Sequence, residues 1–382
     1  MTGKVAQRIR NLEMSGIRKM FDLASSNSVN LGLGEPDFQP PSHVVEALVD
    51  AVRCGHNKYA ATLGIMELRD AFAKQIRGYR NGDVAAENIM VTVGASQGLM
   101  AINQTFVEGG DEVLVPNPGF VIYGPQARLS GGRAVGYSLT HENGFVPDID
   151  ELQSLITPKT KMMVMNTPGN PTGATMNREQ IKAVVEIAED KDIIIVADEV
   201  YDAITYDGGH NSFLQHSDNV IYVNSFSKTY AMTGWRLGCL ATKKEYIDQL
   251  MKVHYYTVAC PPTPLQKAAV VALTGPQDYV ETMRKEYAKR RDYIVGRIND
   301  IEGFDCLKPG GAFYAFPKFD HDIEDVELSM RLAKEGLICT PGSAFGSMGR
   351  GHLRFAYSAS LDNIARGMDI LERVCKEIPL RK

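Results

Sequence analysis

The sequence predicts an α/β protein: a large domain with a mostly parallel sheet sandwiched by helices, joined to a smaller α+β domain. Two observations predict the sheet. Short apolar β-rich runs such as "DIIIVADEVY" and "NVIYVNSFSK" follow one another through the middle of the chain, as strands do when both faces are buried. Helical patterns separate them, the alternation that parallel strands need for their crossovers. A third observation marks the smaller domain: over the last hundred residues the pattern turns to a charged helix followed by alternating strand segments.

"NIMVTV" is a strand that gives way to the helical "GASQGLMAINQTF", and "DEVLVPNP" is a strand ended by a proline-bounded loop. "KMMVMNTPGNPTG" is a buried strand followed by a turn-rich segment. The next helix opens at Asn177, with Gln180 placed to complete a capping box. Its residues Ile181, Val184, Val185 and Ala188 share one face. "DIIIVADEVY" and "NVIYVNSFSK" complete this series. Beyond them come the helical "DYVETMRKEYAKRRDYIVGRIND", the alternating strand pair "GFDCLKPGGAFYAFPKF", and then "ICTPGSAFG" and "HLRFAYSA". A final amphipathic helix uses Ile364, Met368, Leu371 and Val374. The expected division is a large domain over 46–275 and a small domain formed by both chain ends, 1–45 and 276–382.

Composition narrows the function. The 382 residues suit two domains, and 44% hydrophobic with 23% charged residues is ordinary for a globular protein. A net charge of −5 without a basic block argues against nucleic acid and anionic membrane surfaces as partners. The N-terminal stretch lacks the apolar core of a signal peptide. Runs such as "AAVVAL" fall far short of the ~20 residues that span a bilayer. Six cysteines without a C-x-x-C pair read as free thiols of a reducing, cytoplasmic setting. Eight histidines without ligand spacing give no support to a metal site. "LGLGEPDF" lacks the third glycine of a dinucleotide fingerprint, and no phosphate-binding G-x-x-x-x-G-K-[ST] loop occurs.

In doubly covered sheets ligands bind beyond the C-terminal ends of the strands. That rule selects "GAS", "NTPGN", "ADEVY" and "NSFSK", each polar or glycine-bearing. Lys228 lies in the last of them, among Ser225, Phe226, Ser227, Thr229 and Tyr230. A lysine at a strand end is ordinarily solvated, but one in a concave polar site becomes a nucleophile when its pKa falls. A lysine that carries a pyridoxal cofactor also needs a carboxylate for the ring nitrogen, an anion site for the phosphate and a group near the phenolic oxygen. Asp198 and Tyr201 at the neighbouring exit, Ser225 and Arg236 around the lysine, and the helix-opening Gly94–Ala95–Ser96 turn are candidates. Singly, each also reads as a strand-end residue, an ordinary turn or a salt-bridge partner.

Taken in order, "GEPDF", "KYAATLGIMELR", "GASQ", "NPGFVIY", "NTPGNPTG", "ADEVY", "SFSKTYAMTGWRLG", "KPGGAFY" and "HLRFAYS" resemble the class I aminotransferases of the fold-type I pyridoxal-phosphate enzymes, nearest to their aromatic and aspartate subgroup. The resemblance implies a homodimer using pyridoxal 5'-phosphate. Lys228 would carry the cofactor as an internal aldimine, then shuttle the proton between Cα and the cofactor. Asp198 would keep the ring nitrogen protonated, and Asn170 and Tyr201 would bond the phenolic oxygen. Phe120 would stack on the ring. Ser225, Arg236 and the N–H groups at Ala95 and Ser96 would hold the phosphate, joined by Tyr59 from the neighbouring subunit. Arg354 would clamp the substrate carboxylate, assisted by Asn170 and the backbone of Gly34.

The resemblance implies transfer of an amino group from an L-amino acid to a 2-oxo acid such as 2-oxoglutarate by a ping-pong mechanism. Aspartate-using members commonly carry a lysine where this chain has Ser96. "SGIRKMFD" instead supplies Ile17, Met20 and Phe21 to an apolar lid. Aromatic donors are therefore expected. Aspartate is the alternative donor, and a β-lyase on the same fold the alternative reaction.

Overall fold

The computed structural model describes residues 4–10, 12, 28–78 and 84–381. Val29–Asn30 forms a short first strand, β1. Seven strands then build the central sheet: β2 (Ile89–Thr92), β3 (Glu112–Asn117), β4 (Arg133–Ser138), β5 (Thr160–Asn166), β6 (Ile194–Asp198), β7 (Val220–Ser225) and β8 (Gly238–Ala241). Their order is β2-β8-β7-β6-β5-β3-β4. The pairings from β4 through β3, β5 and β6 to β7 are parallel, while β8 runs antiparallel to both β7 and β2. The mostly parallel sheet is thus as expected.

Burial on both faces follows from the apolar runs. In β6, Ile194 and Val196 join one apolar cluster and Ile195 and Ala197 the other. Met162 and Val164 of β5 separate from Met163 and Met165 in the same way, as do Ile221 and Val223 of β7 from Val220 and Tyr222. The helix Ala95–Phe106 covers one face through Leu99 and Ile102, and the helix Arg178–Asp190 covers the other through Ile181, Val184 and Val185. The second helix starts where its capping box predicts: the Asn177 side chain accepts from the Gln180 N–H at 2.9 Å, and Gln180 Oε1 accepts from the Asn177 N–H at 2.8 Å.

Register aligns the exits. Asn166 of β5 pairs with Asp198 of β6, and Asp198 with Val223 of β7, so these strands end together at one edge of the sheet.

The remaining strands are short: β9 (Phe304–Asp305), β10 (Tyr314–Ala315), β11 (Lys318–Phe319), β12 (Leu337–Ile338), β13 (Thr340–Pro341) and β14 (Leu353–Ala356). The expected strand pair in "GFDCLKPGGAFYAFPKF" divides. Its ends, β9 and β11, pair with each other, whereas β10 between them pairs antiparallel with β14. That detour carries Tyr314 alongside the strand bearing Arg354. Near the start of the chain, β1 runs parallel to β12, and Val29 and Leu31 join a core with Ile294, Ile298 and Phe355. Ile364, Met368, Leu371 and Val374 of the terminal helix Leu361–Cys375 bury into the same core. All six cysteines are free. Among the described residues, no helix is long and apolar enough to cross a membrane.

Candidate active site

A cavity of about 290 Å³ opens at the strand exits. Ser225 ends β7 and immediately caps a single helical turn, Phe226–Thr229, by accepting the Ser227 N–H at 3.1 Å. That turn aims Lys228 into the cavity. Its Nζ donates to the carbonyl of Gly34 at 2.6 Å and lies 5.7 Å and 5.6 Å from the ring centres of Tyr201 and Phe313. The residue keeps part of its surface open to the cavity, but its amine lies deep in the protein. Burial, followed by the charges of Arg354 and Arg236, pulls the amine down to about 8; Glu35 and Asp198 oppose the fall.

Asp198 ends β6 with only 3% of its surface exposed. One carboxylate oxygen accepts from the Tyr123 hydroxyl at 2.7 Å and the other from the Val200 N–H at 3.4 Å. Burial lifts its pKa to about 6, with a contribution from neighbouring Glu199, against the pull of those two bonds and of Lys228. The Asp198 carbonyl accepts from Asn166 Nδ2 at 2.9 Å, and Asn166 Oδ1 in turn accepts the Asn170 N–H at 2.8 Å. The turn after β5 is thereby tied to the exit of β6.

Arg354 enters from β14 with 4% exposure. Its guanidinium donates to Asn170 Oδ1 at 2.9 Å and to the Gly32 carbonyl at 2.6 Å. It lies 4.6 Å from the ring centre of Tyr314 and 4.7 Å from that of Phe345. Among the described residues its buried Nε has no hydrogen-bond partner. Burial lowers its pKa, yet an arginine keeps its proton at neutral pH. Tyr201, also buried, shares a 2.7 Å hydrogen bond with the hydroxyl of Tyr314. Burial, with Tyr314 beside it, drives Tyr201 well above the usual phenol range.

At the other end of the cavity, Gly94 adopts φ +75° and opens the helix Ala95–Phe106, leaving the first N–H groups of that helix without intrahelical acceptors. A Cβ at position 94 would lie 2.6 Å from Arg236 Nη2. Glycine is what lets the guanidinium lie against the helix start. Arg236 is fixed by its own left-handed backbone, φ 55°, and by a 2.8 Å bond from Nη1 to the Thr233 carbonyl. Ser225 Oγ stands nearby, bonded to Ser227 Oγ at 2.8 Å. A guanidinium, a hydroxyl and a helix N-terminus together make a site for a phosphate-like anion.

Phe120 and Ser96 also line the cavity, and Phe120 meets Tyr123 edge-on with ring centres 5.8 Å apart. The fold therefore brings together Gly34, Ala95, Ser96, Phe120, Asn170, Asp198, Tyr201, Ser225, Lys228, Arg236 and Arg354. Tyr59 is not among them. It is 90% exposed on the surface of the single chain. Ile17, with Met20 and Phe21, lies outside the described residues. Tyr123, Tyr314, Asn166 and the Gly32 carbonyl hold the predicted residues in place and were missed. "NPGFVIY" and "KPGGAFY" contain the two tyrosines, but an aromatic residue in such a segment reads as core.

The set can condense an amine with a carbonyl compound, hold an anion about a cavity's length away, and place a carboxylate group beside the amine. Known proteins carry the same arrangement of sequence. The profile of the family described as "Aminotransferase class I and II" matches residues 26–371. The chain is 41% identical over 376 residues to a "Probable aspartate aminotransferase" of Methanocaldococcus jannaschii, covering 97% of this chain and 99% of the relative. It is 38% identical over 384 residues to "Aromatic-amino-acid aminotransferase 2" of Thermococcus litoralis, with 98% of each covered. Among solved structures, an aromatic aminotransferase from Pyrococcus horikoshii superposes with a TM-score of 0.89 at 36% identity, over 95% of this chain and 99% of that one.

Proposed function

The chain belongs to the class I and II aminotransferases, and from that premise we propose that it moves the amino group of an aromatic L-amino acid to a 2-oxo acid in a ping-pong reaction, with pyridoxal 5'-phosphate held on Lys228. The observation that carries the proposal is the meeting, in one cavity, of the Lys228 amine, the buried Asp198 carboxylate and the Arg354 guanidinium, brought from three distant parts of the sequence.

The residues fit this cofactor. Arg236, Ser225 and the helix start at Ala95 and Ser96 form an anion cradle that a side chain at Gly94 would fill. The partnerless Nε of Arg354 marks a guanidinium with a donor to spare. When bound, pyridoxal phosphate would supply a carbonyl carbon that takes up the amino group and a ring that draws electrons from the donor's Cα. Asp198 would hold a proton on the ring nitrogen; opposite charge there compensates the burial that otherwise raises its pKa. Asn170 and Tyr201 would bond the ring oxygen, and Phe120 would cover a ring face. Arg354 orients the donor carboxylate with a planar fork, placing Cα within reach of Lys228. With its pKa near 8, the Lys228 amine is matched to taking and returning a proton at neutral pH.

The donor preference rests on charge. Among the described residues lining the cavity, the cations are Lys228, Arg236 and Arg354, each already engaged, beside the apolar Leu33, Leu99, Phe120 and Val200. A second substrate carboxylate finds no further cation there. The same holds for the distal carboxylate of 2-oxoglutarate, whose choice as acceptor rests on the resemblance alone. The competing reading is aspartate, the activity in the name of the Methanocaldococcus relative.

A homodimer belongs to the same proposal, with Tyr59 reaching the partner's phosphate. It is supported by an apolar stripe left open on the helix Ser42–Arg53, at Val45, Val49 and Val52, with Met66 also exposed. So does the division into 46–275 and the two chain ends, 1–45 with 276–382. Lys228 and Asp198 stand on the first part, Gly34 and Arg354 on the second, and the pairing of β1 with β12 favours grouping the ends.

Adding candidate amino acids one at a time to the cofactor-loaded protein, while scanning its visible absorbance, tests the whole reading. Phenylalanine and tyrosine should convert the bound cofactor at far lower concentrations than aspartate. A strong aspartate preference overturns the donor assignment, and the absence of any spectral change with amino acids overturns the function.

A further inference from the structure

The Tyr201 hydroxyl has one proton to give and two places that want it. It stands 2.7 Å from the Tyr314 hydroxyl, and either oxygen can be the donor in that pair. On the cofactor reading above, it would also bond the ring oxygen of the cofactor. A hydroxyl has a single O–H donor and two acceptor lone pairs. The ring oxygen carries negative charge and accepts roughly twice as strongly as a neutral hydroxyl does. The Tyr201 proton therefore goes to the ring oxygen, and the pair with Tyr314 survives only if Tyr314 is the donor.

The surroundings of Tyr314 suit that role. Its strand β10 pairs with β14, with Tyr314 opposite Ala356, which places its ring under the Arg354 guanidinium at 4.6 Å. A cation over a phenol ring makes its proton easier to give, and Arg354 acts on the Tyr314 pKa in that direction, against burial. The Tyr314 hydroxyl presses on Gly34, where a Cβ would collide with it. Gly34 in turn accepts the Lys228 amine. Packing against Gly34 and under the Arg354 guanidinium keeps the Tyr314 hydroxyl beside Tyr201.

We propose that Tyr314 is a positioning residue which donates its hydroxyl proton to Tyr201, so that the Tyr201 proton is committed to the cofactor's ring oxygen. The proposal rests on the cofactor reading. A donated bond polarises the acceptor hydroxyl and strengthens the bond it donates in turn. Stabilising negative charge on the ring oxygen keeps the neighbouring lysine–cofactor linkage easy to deprotonate. Removing the Tyr314 proton weakens this chain and makes the linkage harder to deprotonate.

The test is the pH midpoint at which the two visible bands of the resting, substrate-free holoenzyme interconvert. Tyr314→Phe should raise that midpoint by about half to one pH unit, the worth of one hydrogen bond. Tyr201→Phe should raise it further. The double variant should match Tyr201→Phe alone, because Tyr314 acts through Tyr201. Incorporation of 3-fluorotyrosine at position 314, a stronger donor of the same shape, should lower the midpoint and leaves the fold unthreatened. An unchanged midpoint in both position-314 proteins, or a full additional shift from Tyr314→Phe in the Tyr201→Phe background, overturns the proposal. Borohydride trapping in the unmodified protein separates this from the premise: if the cofactor is trapped on a residue other than Lys228, the cofactor reading itself falls.

Discussion

Replacing Asp198 by asparagine should stabilise the cofactor-free protein while weakening its hold on the cofactor. The carboxylate is 3% exposed, and burial raises its pKa from the ordinary 3.8 to about 6 even though Tyr123 and the Val200 N–H both bond it. Between those two pH values the folded chain holds a proton that the unfolded chain has released. Stability must therefore fall as pH rises from about 4 to about 6, and stay reduced above it. At about 1.4 kcal/mol per pH unit, the loss is on the order of 3 kcal/mol. Asparagine is nearly the same shape, can still accept from Tyr123, and has no charge to desolvate. Part of the gain is offset by its amide N–H groups, which cost about 1–3 kcal/mol if one finds no acceptor. The net expectation is about 0–2 kcal/mol in favour of Asp198→Asn at pH 7. Urea unfolding of the stripped proteins from pH 4 to pH 8 measures it. Near pH 4 the variant should lie level with wild type or below it by the amide cost, overtake it as pH rises through 6, and run level above. A difference independent of pH, or a wild-type protein more stable at pH 7, would refute the reasoning. In the same variant cofactor affinity should drop, since the ring nitrogen loses its counter-charge.

Other outcomes follow from the same geometry. Lys228→Ala should abolish transamination and the covalent absorbance of the loaded enzyme; full activity in that variant removes the lysine from the mechanism. Arg354→Lys should lower kcat/KM for every donor roughly 10- to 100-fold, the loss of one charge-assisted bond, while the cofactor spectrum stays unchanged; equal kcat/KM would show that the carboxylate binds elsewhere. Ser96→Lys should raise kcat/KM for aspartate relative to phenylalanine, on the order of tenfold for a cation added about 6–8 Å from a second carboxylate in a partly hydrated site, and an unmoved ratio would place the side-chain pocket away from position 96.

What could be read from the sequence depended on whether its cause was local. β5, β6 and β7 were legible because burial on both faces writes a continuous apolar run. β4 was not, since this edge strand is half exposed along "RAVGYS", and neither was β8, four residues of "GCLA" that run antiparallel. The start of the Arg178–Asp190 helix was legible because its capping residues lie three apart in the chain. The same logic divides the site. Lys228, Asp198 and Arg236 sit in dense local motifs at strand exits. Tyr123 and Tyr314 reach their partners across 75 and 113 residues of sequence, and a tyrosine whose partner is set by strand pairing looks like any core aromatic. The Gly32 carbonyl that holds Arg354 belongs to the backbone and leaves no trace in residue type.

This division has a physical consequence. The reactive groups are carried by regular elements, while the groups that set their proton affinities arrive from elsewhere in the fold. Tyr123 comes to Asp198 from the start of the helix Tyr123–Leu129, and Tyr314 comes to Tyr201 from β10. Burial alone would neutralise both members of the central pair, pushing Asp198 up and Lys228 down. Each therefore has its proton affinity poised within about two pH units of neutrality, and either can be retuned by altering a neighbour without moving the reactive atom. Substitutions at Tyr123 and Tyr314 should accordingly shift pH profiles more than they lower maximal rates, whereas substitutions at Lys228 should do the reverse.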